Sequence, residues 1–344
     1  MAFINQGRHI GTVGLRAPET LGGLITYYGA YKIHTFLTSC LEFELAGSKS
    51  VTASLLLIGG GGGYNSFGGG GGGGMLEYTN FIISPGKYQV CVGAGGNRTR
   101  GESSLIHVTG NASTPMTGTI SSTAVTIADA IGGGCHRVTS DPLYDSSWPA
   151  YPHVNSQEHG GSGAGSTGNG TFGGYAYQAP GIGIDTLMIG PPPFGTSGSR
   201  VGQGNNGGQG TNSGGAAAGG GGGGAGTDGT GAGGFGGNPG EGGSTGGSGG
   251  HGGQGGSNSY RDGNVQWYSG GGGGGTSNTS GHGPPGTGRS GWSGLGGGGD
   301  GAGANENGDV NSGGGAHGVG SGGSSGGIGG SGIIVIRVPE PLIP

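Results

Sequence analysis

Nearly one third of the residues in this chain are glycine, and this abundance limits the possible folds more than any other feature. There are 105 glycines among 344 residues, whereas an average protein contains about 7% glycine. Glycine loses more backbone entropy on folding than other residues and adds no side chain to a core. A core of ordinary density therefore cannot extend over the whole chain. The backbone groups of an ordered glycine tract must instead bond to other backbones or to water.

The longest glycine-rich region, 201–332, carries glycine at every third position in several runs, such as 237–255 and 320–332. A period of three matches the polyproline II helix, which has no internal hydrogen bonds. Glycine along one edge of such a helix lets a neighbouring helix approach closely enough for hydrogen bonds between backbones. Collagen is disfavoured, because the runs are short, they shift register and the chain has only 16 prolines. We therefore predict a packed array of short polyglycine II helices over 201–332.

Short apolar segments outside this region show the patterns typical of β-strands, and no segment shows a convincing helical period. The sequence Ser84-Pro85-Gly86 predicts a hairpin turn. The chain is thus predicted to be mainly β, with a small β-sandwich or jelly-roll-like domain, a large glycine-rich insertion, and little or no α-helix. The predicted strands are Tyr31–Leu37, Leu41–Leu45, Ser54–Ile58, Met75–Ile83, Lys87–Val92, Leu105–Val108 and Ala124–Ala128.

The end of the chain returns to the β pattern, with an apolar run at 333–338 that Pro339 terminates. We expect this strand to close the sheet beside Ser54–Ile58, with Val335 near Leu56, so that the array is one insertion between strands of a single domain. Residues 1–26 are predicted to form an arm that docks to another subunit, or else to supply a first strand. Residues 27–131 then supply the strands of the β-sandwich, and 132–200 form loops rich in aromatic residues and proline. The array at 201–332 and a closing strand and tail at 333–344 complete the chain.

Charge, hydropathy and cysteine usage exclude several classes of protein. The net charge is -5, and 12 lysines and arginines form no basic run, so binding to nucleic acid is not expected. No apolar stretch approaches the roughly 20 residues that span a bilayer, and the N-terminal segment lacks the pattern of a secretory signal. Cys40, Cys91 and Cys135 are odd in number and widely spaced, which predicts free thiols instead of a disulfide framework or a zinc site.

No motif predicts an enzyme. Matches to phosphate-binding glycine patterns are unavoidable at this glycine content, and the P-loop motif is absent. His153, Glu158 and His159 lie together in a loop, which more simply predicts a solvated loop than a metal site. The segment Asp300–Asp309 lacks the residue order of an EF-hand, although it leaves cation binding open. We therefore predict no catalytic residue, no cofactor and no metal.

Short motifs follow one another along the chain in a characteristic order. They are Ile33-His-Thr-Phe36, Leu55-Leu-Leu-Ile58 followed by Gly59–Gly63, Ser84–Gly96, Ser103-Ser-Leu-Ile106, Ala130-Ile-Gly-Gly-Gly134 and Gly332-Ile-Ile-Val-Ile-Arg337. This order resembles the glycine-rich domain of phage tail-fibre and other virion proteins. A similar glycine-rich module lies beside a jelly-roll domain in the anaplastic lymphoma kinase receptor family, and the distal adhesins of T-even-like phage long tail fibres are built on polyglycine II helices.

The resemblance implies a rigid protein at the surface of a phage particle, with binding loops at one end of the array. The expected partners are other virion proteins, bound through the N-terminal region, and a host cell-surface receptor. Fibres are usually trimeric, so a homotrimer is one expectation, which the sequence itself does not determine. The first functional hypothesis is a tail-fibre tip or receptor-binding adhesin. The second is a capsid fibre, decoration protein or other virion component without receptor contact.

A polyglycine bundle is chemically uniform, so specific recognition must come from the loops that interrupt it. Aromatic residues in such loops are the candidate receptor-binding residues, because aromatic rings give a large contact area at low entropic cost. The alternative is that each ring covers a glycine surface as a lid, and Trp292 fits this alternative better than recognition. The candidates are Tyr144, Trp148, Tyr151, Tyr260, Trp267 and Tyr268.

Overall fold

The computed structural model describes residues 19–64, 68–108, 125–135, 161–165, 203–204, 207, 211–213, 216–218, 222–225, 252–275, 307–318 and 327–340. Within these ranges the secondary structure is entirely β, as predicted, and the strands pair antiparallel. None of these residues forms a helix long and apolar enough to cross a membrane.

Ten strands form two five-stranded sheets, and each sheet combines strands from distant parts of the sequence. The first sheet has the order β1-β4-β7-β8-β9, and the second has the order β2-β3-β14-β5-β6. Two small hairpins, β10-β11 and β12-β13, form separate two-stranded sheets. The strands are β1 (Glu19–Leu21), β2 (Leu24–Tyr28), β3 (Tyr31–Phe36), β4 (Leu41–Ala46), β5 (Val51–Ile58), β6 (Met75–Ile83), β7 (Gly86–Cys91), β8 (Ser104–Val108), β9 (Val125–Ala130), β10 (Thr211–Ser213), β11 (Ala216–Ala218), β12 (Gly256–Asn258), β13 (Gln266–Tyr268) and β14 (Ile333–Pro339).

The two sheets share one core, because strands of both contribute alternate side chains to a single buried cluster. Phe36 and Phe43 come from different sheets, and their ring centroids lie 6.5 Å apart in an edge-to-face arrangement. Leu55, Leu57 and Ile334 belong to the same cluster. Since side chains alternate along a strand, the intervening Leu56 and Val335 point to the opposite face. They are buried there in a second cluster with Tyr268.

The strand at the end of the chain is central to the second sheet. β14 lies between β3 and β5, and Val335 is directly opposite Leu56. The predicted pairing is therefore confirmed. The continuous apolar run of β5 is also explained, because its last four residues are buried whichever face they point to.

Two expectations need correction. Residues 19–28, which the sequence analysis included mostly in an N-terminal arm, form strands β1 and β2, so the first-strand alternative holds for this part. Cys40 and Cys91 form a disulfide, contrary to the expectation of free thiols, while Cys135 is buried outside it. The pairing of β4 with β7 places Leu41 opposite Val90, which brings the two flanking cysteines together.

Candidate functional site

The glycine segments nearest the core are direct continuations of its strands, and together they make the most unusual surface of the molecule. Segment 59–64 follows β5, segment 69–74 precedes β6, and segment 327–332 precedes β14. On the first sheet, 93–96 follows β7 and 131–135 follows β9. The register of the strands therefore fixes where each glycine segment begins. We call the set of hydrogen-bonded glycine segments the glycine lattice.

Hydrogen bonds from segment 59–64 repeat with a period of three residues. The N–H groups of Gly59 and Gly62 donate to the carbonyls of Gly74 and Gly71 in one neighbour. Gly60 and Gly63 donate to 99–102, and Gly61 and Tyr64 donate to 327–330. Each neighbour therefore receives bonds from every third residue, and three neighbours accept all six of these N–H groups.

Carbonyl groups of the same segment accept from three further segments. Gly60, Gly61 and Gly62 accept from Gly133, Gly96 and Ala316, respectively. Segment 59–64 thus has six hydrogen-bonded neighbours among the described residues. Segment 69–74 is surrounded in a similar way, because it bonds to 59–64, 131–134, 162–165, 313–316, Gly223 and Gly272.

Close packing of these segments explains why the lattice requires glycine. A Cβ atom added at Gly60, Gly61 or Gly62 would collide with the backbone carbonyl of Ala94, Gly314 or Gly134, respectively. Successive residues point towards different neighbours, so no side of the central segment can hold a side chain. The glycines therefore serve as sites of close backbone approach, and their freedom to adopt unusual dihedral angles is secondary.

A hairpin leaves the lattice and lies along the outer face of the second sheet. Its strands β12 and β13 join lattice segment 252–255 to segment 269–273. Tyr268 is 2% exposed in the second cluster, beside Ile58 and Met75. Near the tip, Gly263 has φ +81° and lies so close to the ring of Tyr28 that a side chain would not fit there.

Tyr260 fixes the hairpin to the sheet through its hydroxyl group and its ring. The hydroxyl donates a hydrogen bond of 3.0 Å to Glu77 Oε1. The guanidinium carbon of Arg337 lies 3.6 Å from the ring centroid of Tyr31 and 5.3 Å from that of Tyr260. Burial, together with the Glu77 carboxylate, raises the pKa of Tyr260 to about 12. The hydroxyl is therefore a persistent donor and no acid at neutral pH.

Trp267 and Tyr268 point to opposite faces of the hairpin, because they are adjacent in a strand. Tyr268 points to the sheet and is enclosed, so its ring cannot contact a receptor in this conformation. Trp267 is only half-buried. Tyr268 therefore fits the lid alternative in this conformation, although the surface it covers is the outer face of a sheet, and the receptor-binding role of half-buried Tyr260 stays a prediction. Trp267 stays a candidate.

The remaining candidates, Tyr144, Trp148 and Tyr151, lie outside the described residues, as do Trp292 and His153–His159. Sequence reasoning missed the tip of the hairpin, where Val265 is 64% exposed between exposed Asn264 and half-buried Gln266. The Asp262-Gly263 pair is the turn signal that could have identified it.

Three buried polar side chains accompany the lattice. Gln203 accepts from the N–H of Ile131 at 2.7 Å and donates to the carbonyl of Asp129 at 2.9 Å, which ties the end of β9 to a glycine segment. Burial raises the pKa of the Asp129 carboxyl to about 6, although Ser103 and Arg100 oppose the shift. Burial lowers the pKa of His317, in lattice segment 313–318, to about 4.

These groups do not form a catalytic or metal-binding arrangement. No cluster of three or more His, Cys, Asp or Glu side chains that could hold a metal ion occurs in the described part of the chain. The contacts between lattice segments are hydrogen bonds between backbones, so the lattice provides a stiff scaffold.

No protein-family model, curated protein or solved structure matches this chain. The functional argument therefore depends on the geometry of the lattice and the hairpin.

Proposed function

We propose that this chain is a structural protein of a phage particle, most simply a tail-fibre tip or receptor-binding adhesin, in which a β-sandwich anchors a rigid array of polyglycine II helices. Catalysis has no part in this proposal. The observation that carries it is the period-three hydrogen bonding of segment 59–64 to six neighbours, which is the pattern expected of packed polyglycine II helices. The resemblance of the glycine-rich sequence to virion proteins supports the same conclusion.

The rest of the proposed array follows from the same geometry. The described parts of 201–332 that bond to the lattice include 222–225, 252–255, 269–273 and 313–318. We propose that the other glycine runs of this region add further helices around them. Loops between helices would then emerge at the ends of a stiff bundle and present side chains to a host surface.

The proposal is tested by locating the protein on intact particles, with antibody and gold labels viewed in the electron microscope. Label at distal fibre tips supports the adhesin function, and loss of adsorption in a Trp267→Ala variant would assign that residue to the receptor site. A Ser257→Ala variant is the matched control, because Ser257 lies opposite Trp267 on the same hairpin and is exposed. Absence of label from every part of the particle contradicts the proposal.

One observation favours a virion component without receptor contact. Both Tyr260 and Tyr268 serve to fasten the hairpin, so two of the three described candidate rings hold the fold together. Label over the capsid or tail tube, with normal adsorption of the Trp267→Ala particle, would establish this second function and leave the polyglycine architecture unchanged.

A further inference from the structure

The edge strand β2 exposes an apolar surface that the other edges of the two main sheets do not. Within the part of the chain that the structure describes, β2 has only β3 as a neighbour, and its sequence Leu-Ile-Thr-Tyr-Tyr contains no charge. Leu24, Tyr27 and Tyr28 are all more than half exposed. The other three edge strands of these sheets, β1, β6 and β9, each carry a carboxylate, at Glu19, Glu77 and Asp129. Since charged residues protect an edge against pairing, β2 is the least protected of the four sheet edges that the structure describes.

The hairpin between β2 and β3 determines which backbone groups face the open side. Tyr28 is paired with Tyr31 across the two-residue turn Gly29–Ala30, and Gly29 has φ +59°. In such a hairpin the residues that close the turn exchange hydrogen bonds, and bonded pairs then alternate with non-bonded pairs along the strands. Ile25 and Tyr27 therefore direct their N–H and C=O groups away from β3, towards solvent.

We propose that β2 pairs antiparallel with β2 of a second copy of this chain, centred on Thr26. This register joins the outward backbone groups of Ile25 to those of Tyr27 in the partner. It also places Leu24 opposite Tyr28, and such aliphatic–aromatic pairs stabilise neighbouring strands. The strand is thus complementary to itself, and it brings no charged side chain of its own to the interface. The second sheets of the two copies would become one continuous sheet.

The proposal predicts a two-fold symmetric dimer, in which Thr26 is the one residue of β2 that faces its own copy. Thr26 and its counterpart form a non-hydrogen-bonded pair, whose Cα atoms lie about 4.5 Å apart in antiparallel sheets. This separation falls within the range that a disulfide can bridge. The interface is independent of the proposed virion function, because it depends only on the edge of the sheet.

The test is to oxidise a Thr26→Cys variant of the full chain with copper phenanthroline and to measure the covalent dimer on a non-reducing gel. Thr79→Cys is the matched control, since Thr79 is an exposed threonine on β6, the opposite edge of the same sheet. We expect most of the Thr26→Cys protein to become a covalent dimer and little of the control. Light scattering of the wild-type chain should give twice the monomer mass.

A Tyr27→Lys variant should return the mass to that of the monomer and leave the far-UV circular dichroism spectrum unchanged, because Tyr27 is 62% exposed within one chain. A wild-type monomer overturns the proposal. So does a trimer, or equal cross-linking of the Thr26→Cys and Thr79→Cys variants, because two-fold pairing at β2 permits neither. A dimer that survives Tyr27→Lys with its mass unchanged likewise places the interface elsewhere.

Discussion

Val335 lies directly opposite Leu56 in the pairing of β14 with β5, although the glycine-rich region separates the two residues in sequence. The strand that leads into the lattice and the strand that returns from it are therefore neighbours in one sheet. Residues on both faces of this pair are buried, so the sheet holds both ends of the glycine-rich region in place.

Removing a core side chain from β14 should destabilise the whole domain. Ile336 is 1% exposed, and Ile336→Ala should lower the free energy of unfolding by about 2–5 kcal/mol through lost burial and a residual cavity. Ile328 precedes the same strand and is 43% exposed, so Ile328→Ala should change stability by less than about 1 kcal/mol. Urea unfolding followed by circular dichroism measures both, and equal effects would contradict the central position of β14.

A methyl group in the lattice should be costly where backbones touch. Gly62→Ala forces a Cβ against the carbonyl of Gly134 and should lower the free energy of unfolding by about 3 kcal/mol, the upper part of the range for overpacked sites. Ala94→Ser is the control, because Ala94 is exposed although it belongs to a lattice segment. Thermal unfolding distinguishes the two variants, and a Gly62→Ala protein as stable as the control would mean that the lattice is not closely packed.

The buried imidazole of His317 should make stability depend on pH. The pKa of this group is about 4 in the folded chain and about 6.5 when unfolded, so the neutral form is favoured by folding. The stabilisation of the folded chain by the neutral imidazole is complete above pH 6.5. It is lost as the pH falls towards 4, because the unfolded chain binds a proton at this group before the folded chain does. The loss amounts to about 3 kcal/mol.

The measurement compares urea unfolding of wild type and His317→Gln at pH 7 and pH 4. The variant should lose less stability between these two values, whatever its stability at pH 7. Asp129, whose raised pKa of about 6 acts in the opposite sense, is present in both proteins and cancels in the comparison. An identical pH dependence in the two proteins would show that His317 does not titrate as a buried group.

The hydrogen bond from Tyr260 to Glu77 should appear as an energetic coupling between hairpin and sheet. In a double-mutant cycle of Tyr260→Phe and Glu77→Gln, we expect a coupling of about 1 kcal/mol, as for a hydrogen bond to a charged group at a half-exposed site. Tyr260→Phe combined with Glu42→Gln should be additive, because Glu42 lies on the first sheet. Denaturant unfolding measures the free energy of unfolding of each single and double variant. Additive effects of Tyr260→Phe and Glu77→Gln would contradict the hydrogen bond between these two side chains.

Reduction should weaken the domain through the bond between Cys40 and Cys91. The two cysteines are 51 positions apart in sequence, and a disulfide that closes a loop of this length contributes about 2–4 kcal/mol. The melting temperature should therefore fall in dithiothreitol and in Cys40→Ser, but Cys135→Ser should keep the wild-type response to dithiothreitol. A melting temperature that dithiothreitol leaves unchanged would show that the bond does not form.

Strands with a buried face could be predicted from the sequence, and the two short, mostly exposed edge strands β1 and β2 could not. β6 has the predicted bounds, and its turn into β7 lies at Ser84–Pro85, because apolar alternation and turn residues are local signals. The first-strand alternative for 1–26 gives no bounds for β1 and β2, because these strands are short and expose most of their residues. Pairing of Cys40 with Cys91 depends on the register of β4 with β7, which no local pattern contains.

The predicted array over 201–332 lies largely outside the described residues and stays a prediction, whereas the described glycine segments bond to one another. Whether a ring recognises a ligand or covers a sheet depends on which side of a strand it occupies. For Trp267 and Tyr268 that choice required the hairpin of β12 and β13, whose strands of three residues are too short for a periodic signal.

Contacts between backbones have a consequence for how such a protein can change. Segment 59–64 contacts its neighbours through backbone N–H and C=O groups, which glycine residues all share. Only the length and the register of a glycine segment therefore specify its position in the lattice. One segment could replace another without redesign of the interior, and the connecting loops could be exchanged along with it. The connecting loops can therefore vary in sequence while the glycine lattice stays the same. Grafted loops should be accepted wherever two lattice segments end together.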